Sequence, residues 1–109
     1  MALKANLQID QGSTYNTTLS LTDSNDEAMD LTGYTGASQM RKHFTSSNSV
    51  SFDVTLGGTS GSVILSLSAN STANVVAGRY VYDVEITSPS GVVTRVVEGL
   101  VTVTPNVTR

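Results

Sequence analysis

Strand-period alternation, frequent turn signals and almost no helical periodicity predict an all-β chain. The expected fold is an antiparallel β-sandwich of about seven strands, with one short helical turn near residues 70–77. Apolar and polar residues alternate along most segments, so each strand has one face to bury. Gly, Pro, Asn, Asp and Ser clusters separate these segments at intervals of about 8–12 residues. Two sheets packed face to face bury such faces, and 109 residues suffice for one core, so residues 1–109 read as a single domain.

Leu3 to Ile9 reads as the first strand, with Leu3, Ala5, Leu7 and Ile9 on one face. Asp10-Gln11-Gly12-Ser13 turns the chain. Thr14 to Thr22 is the second strand, with Tyr15, Thr17, Leu19 and Leu21 inward. Asp23 to Asp30 is a polar loop, and Leu31-Thr32-Gly33 bridges it to a third strand over Tyr34 to Phe44, with Met40 inward and Arg41 outward. Val50 to Leu56 alternates cleanly: Val50, Phe52, Val54 and Leu56 in; Ser51, Asp53 and Thr55 out. Gly57 to Gly61 makes a hairpin turn into Ser62 to Ser68, where Val63, Leu65 and Leu67 point inward. Ala69 to Ala77 is the helical turn, capped by Ser71 or Thr72 and ended by Gly78.

A long hairpin over Gly78 to Pro105 closes the chain. Tyr80, Tyr82, Val84 and Ile86 form its core face. Ser88-Pro89-Ser90-Gly91 makes the turn, with Pro89 presetting φ and Gly91 free to take a positive φ. The register sets Ile86 opposite Thr94, Val84 opposite Val96 and Tyr82 opposite Glu98. Glu85 lies across from Arg95, an opposite-charge pair. Val101 and Val103 then point inward, one residue out of phase with Val96. A bulge at Glu98-Gly99 is expected to absorb that slip.

Composition narrows the function. The net charge is −3, and the six basic residues are scattered, which argues against nucleic acid. The chain has no cysteine, hence no disulfide, thiolate metal site or thiol nucleophile. No segment reads as a signal peptide or has the ~20 apolar residues that cross a bilayer. Work outside a cell would then follow lysis or assembly into a particle.

No motif carries chemistry. His43, the one histidine, lacks the orienting carboxylate and nucleophile signature of a catalytic set, and its ordinary reading is a surface residue. The 23–30 loop is acidic, but Ala28 and Tyr34 stand where an EF-hand needs Gly and Glu. The sequons at Asn16, Asn70 and Asn106 arise readily in a chain rich in Asn, Ser and Thr. Asp83 and Glu85 share a face, yet Arg95 already offers Glu85 a partner. The expectation is no enzyme, no cofactor, no metal and no small-molecule substrate.

A docking surface is the remaining feature. Val81, Val93 and Val97, with Thr87, fall on the outer face of the long hairpin. The ordinary reading is the strand preference of valine; the functional one is an interface. An exposed edge strand would serve the same end by strand addition. Lysine at Val93 or Val97 is then expected to leave the fold intact and block docking. Two readings stay open for Asn106 to Arg109: a loose end, or a segment in which Arg109 meets a partner.

Several stretches carry a resemblance. Gln11-Gly12-Ser13-Thr14 leads into a Thr/Leu strand, Asp30-Leu31-Thr32-Gly33 opens the next, and Ala37 to Lys42 ends in Arg-Lys. Gly78-Arg79-Tyr80-Val81-Tyr82-Asp83-Val84 and Val97-Glu98-Gly99-Leu100-Val101-Thr102-Val103 follow. In this order they resemble small virion structural proteins of tailed bacteriophages, of the cyanobacterial and marine myophage type. They are also similar to the N-terminal domain of phage upper baseplate proteins. The resemblance implies an immunoglobulin-like β-sandwich with no catalytic residues, located in the virion and contacting other virion proteins and copies of itself. Baseplate proteins of that type continue into further domains, so it also implies a stand-alone accessory piece of tail, baseplate, neck or capsid surface. A module binding a host glycan is the alternative; it calls for an aromatic platform, and Tyr80 and Tyr82 are already assigned to the core.

Overall fold

The computed structural model describes residues 3–22, 25, 27–43, 45, 47 and 49–107. Strands β1 (Leu3–Lys4), β2 (Leu7–Asp10), β3 (Tyr15–Ser20), β4 (Thr35–Arg41), β5 (Val50–Leu56) and β6 (Ser62–Leu67) precede helix α1 (Ala69–Ala73). The long strands β7 (Gly78–Thr87) and β8 (Val93–Thr104) follow it. One mixed sheet runs in the order β1/β2, β8, β7, β4, β5, β6, β3 and curls into a nearly closed, barrel-like form. Counting β1 and β2 as one interrupted edge strand gives the seven positions expected. The pairing is not wholly antiparallel, because β1 and β2 run parallel to β8.

The alternation does its work in the core. Phe52, Val63, Leu65, Leu67, Val84, Ile86, Val101 and Val103 are all buried, as are Ile9, Leu21, Leu31, Met40 and Tyr82. Phe52 lies edge-on to Tyr82 and tilted against Tyr15, each at 6.2 Å between ring centroids, a favoured aromatic geometry. Strand β5 has the bounds that the alternation predicts. Its first half pairs with β4 through Val50↔Met40 and Phe52↔Ser38, and its second half pairs with β6 through Asp53↔Ser66 to Leu56↔Val63. A 3-10 turn at Gly58–Ser60 joins β5 to β6.

Three local readings are corrected. First, the helical turn is shorter than expected, and Ser68 is its cap: its Oγ accepts the Ser71 N–H at 3.2 Å. Thr72 is buried one turn in and donates to the Ser13 carbonyl at 2.8 Å, tying the helix to the β2–β3 turn. Second, the first strand is broken at Ala5-Asn6. Third, the bulge in the long hairpin lies elsewhere.

That hairpin begins as the turn chemistry requires. Gly91 takes φ +92°, its N–H donates to the Ser88 carbonyl at 2.9 Å, and Ser88 N–H donates to Val92 O at 2.9 Å. Ile86↔Thr94 and Glu85↔Arg95 pair as predicted. The next pair is Val84↔Val97, so Val96 is the inserted residue and the bulge falls there instead of at Glu98-Gly99. The reason is packing: with the slip at Val96, Val97, Val101 and Val103 all face inward in one unbroken phase, and all three are buried. Val97 is fully buried, so its expected place on the outer face is overturned.

Candidate functional site

The outer face of β4, β7 and β8 is set by the same alternation. Val81, Asp83, Glu85 and Thr87 point away from the core on β7, facing Leu100, Glu98, Arg95 and Val93 on β8. A shallow depression of about 360 Å³ lies over this face, lined by Gln39, Arg41, Val81, Asp83, Arg95 and Glu98 among others. The Arg95 guanidinium bridges two acids: Nε lies 3.3 Å from Asp83 Oδ2 and Nη1 lies 3.7 Å from Glu98 Oε2. Glu85, its directly opposed neighbour, is therefore not its ion-pair partner. These side chains are over a third exposed, and such surface pairs contribute only ~0–1 kcal/mol each. Arg41 donates to Gln39 Oε1 at 3.0 Å on the adjoining strand.

The predicted valine surface is divided. Val81 is half-buried beside Leu100, while Val93 lies out at the hairpin tip. The charged rows Asp83/Glu98 and Glu85/Arg95 stand between them, so the two valines do not form one apolar patch. Val97 belongs to the core, and Arg109 lies outside the described residues. At the tip Val93 has an exposed apolar neighbour outside the predicted set: Val92 is 62% exposed and Val93 58%. Val92 directly follows the turn glycine, ahead of the first residue of β8.

A second depression, of about 570 Å³, opens near the start of β7 between Lys42, Val50, Val75, Val76 and Tyr80. The Tyr80 hydroxyl donates to the Val76 carbonyl at 2.6 Å, and Lys42 Nζ lies 4.9 Å from the ring centroid, within cation–π range. Tyr82 and Tyr15 are committed to core contacts.

Asp30 closes the polar loop after β3. Asp30 Oδ1 accepts the Thr32 N–H at 3.0 Å and the Thr32 hydroxyl at 2.6 Å, and these bonds hold its carboxyl below the usual range. Asp23 and Asp26 lie outside the described residues. Among the described residues, no three His, Cys, Asp or Glu side chains gather where they could hold a metal ion. His43 is exposed just beyond β4. Among those residues, no helix is long and apolar enough to cross a membrane. No protein-family model and no curated protein matches this chain.

Proposed function

We propose that this chain is a non-enzymatic structural component of a tailed-phage particle, acting through contacts with other virion proteins. The observation that carries the reading is the tip of the β7–β8 hairpin. There Val92 and Val93 stand exposed beside the Ser88–Gly91 turn, on a molecule 44 Å long and only 27 × 21 Å across. Exposed apolar side chains at the end of a hairpin suit contact with a neighbouring subunit. The resemblance of the 11–14, 30–33, 37–42, 78–84 and 97–103 stretches to small virion proteins supplies the setting.

The finer architecture belongs to the same proposal. An immunoglobulin-like sandwich would place β1/β2, β8, β7 and β4 in one layer and β5, β6 and β3 in the other. The division of β5 between β4 and β6 supports that layering, since a strand changing partners midway marks the corner between two sheets.

The test is incorporation. Particles assembled with the Val92→Asp, Val93→Asp double variant are analysed by mass spectrometry beside wild-type particles. The expected result is a folded protein absent from purified particles. Wild-type chain missing from repeated particle preparations, or the variant incorporated at wild-type level, would overturn the reading.

A further inference from the structure

We propose that the free edge of β3 pairs with the same edge of a second copy of this chain, antiparallel about a two-fold axis through Thr18. Strand β3 ends the strand order and, among the described residues, forms a ladder with β6 alone. The proposal rests on the geometry of β3 and is independent of the phage reading.

Which groups are free follows from the hydrogen bonds. Leu21 N–H donates to the Gly61 carbonyl at 2.8 Å. This contact continues the β3–β6 register, since 21 + 61 = 82 and 19 + 63 = 82 for Leu19↔Val63. Opposed residues of an antiparallel pair alternate between bonded and non-bonded positions. Tyr15, Thr17 and Leu19 therefore bond to β6, and Asn16, Thr18 and Ser20 turn their N–H and C=O groups to the open side. The Leu21 carbonyl accepts Met29 N–H at 3.0 Å, on the side where its own N–H meets Gly61. The returning chain thus lies on the β6 side, away from the open edge.

An axis through Thr18 sets Asn16 opposite Ser20 of the second copy, and Thr18 opposite Thr18. These are the residues with free groups, and each such pair exchanges two hydrogen bonds. The same register sets Thr17 opposite Leu19 and Tyr15 opposite Leu21, all on the core side, while Asn16, Thr18 and Ser20 stay on the exposed side. Pairing shifted by one residue would bring core-side residues against solvent-side ones.

The edge also lacks the usual defences. Tyr15–Ser20 holds no charge, proline, glycine or bulge, the devices that ordinarily keep edges apart. The opposite edge has them: β1 and β2 are interrupted at Ala5-Asn6 and carry Lys4 and Asp10.

The experiment is sedimentation equilibrium of the full chain over a wide concentration range, with amide hydrogen exchange read at the same concentrations. A monomer–dimer equilibrium is expected, with protection of the Asn16, Thr18 and Ser20 amides rising with concentration while Thr17 and Leu19 stay unchanged. Thr18→Lys and Thr18→Asp each set like charges across the axis. Each should lose the dimer with circular dichroism unchanged, and an equimolar mixture should recover it. A wild-type chain monomeric at the highest concentration, a dimer that survives both variants, or an edge protected only by a strand of another protein would each overturn the proposal. If neither variant folds, the wild-type exchange pattern alone decides.

Discussion

Tyr82 and Gly99 are cross-strand partners, and the space that Gly99 leaves by having no side chain is filled by the backbone of the break between β1 and β2. The Ala5 carbonyl sits there and accepts the Tyr82 hydroxyl at 2.6 Å. In a regular parallel ladder that carbonyl would accept Leu100 N–H; here Asn6 Oδ1 accepts it instead, at 3.1 Å. Ala5 N–H keeps its ladder bond to the Glu98 carbonyl at 3.0 Å. The break between β1 and β2 is thus a swap of one acceptor for another, driven by a buried phenol in need of a partner.

Tyr82→Phe should therefore destabilise the fold by about 1–3 kcal/mol, the range for leaving a desolvated partner unmatched. Truncation to alanine should cost about 3–5 kcal/mol, as large aromatic deletions do. Urea denaturation measures both. An unchanged midpoint for Tyr82→Phe would show that the bond to Ala5 contributes nothing.

The same residue sets an alkaline limit. Burial, with Tyr15 adding to it, pushes the Tyr82 phenol from 10.0 up to about 12. Over that interval the unfolded chain releases a proton that the folded chain keeps. The stability involved is fully present below pH 10.0 and is lost as pH rises through about 12. Burial also raises Tyr15 and Tyr80, so Tyr82→Phe should flatten the alkaline decline without abolishing it. Denaturation midpoints collected across that interval give the two slopes to compare.

Gly99→Ala is predicted to be among the costlier glycine changes. Its added methyl would fall far inside contact distance of the Ala5 carbonyl, which is backbone and held by Tyr82. About 1–3 kcal/mol, the usual cost of overpacking, is expected, with loss of exchange protection at Leu100 and Ala5. Gly58, where nothing lies within 4 Å of the same methyl, is the comparison: there only its positive φ of 64° should count.

Lysine separates the two valines once grouped together. Val97→Lys introduces a charge at a fully buried site and should abolish folding. Val93→Lys, at the exposed tip, should change stability by no more than ~0.5 kcal/mol. Circular dichroism decides; a well-folded Val97→Lys protein would mean that the bulge at Val96 can slide.

Local signals carried much of the architecture. Val50 to Leu56, the Ser88–Gly91 turn and the inward faces of β6 and β7 were readable because period and turn chemistry act over a few residues. The Val96 bulge was harder, since Val96-Val97 offers the core two equivalent side chains and only the phase of Val101 and Val103 selects one. Ser68, Ser71 and Thr72 all offer a capping hydroxyl, and the burial of Thr72, which donates to Ser13, depends on a turn 59 positions away. The parallel docking of the N-terminal strands had no local signature, and neither did the open edge of β3. The division of the valine surface followed from the bulge, so it was lost with it.

The first and last strands keep one separation throughout, 97 − 3 = 94 and 101 − 7 = 94. During synthesis β1 and β2 must wait for β8 before they have anywhere to settle, which favours late closure and slow folding. Once closed, the parallel pairing of β1 and β2 with β8 meets a pull between them along the strands in shear, so that its bonds yield together and not one after another.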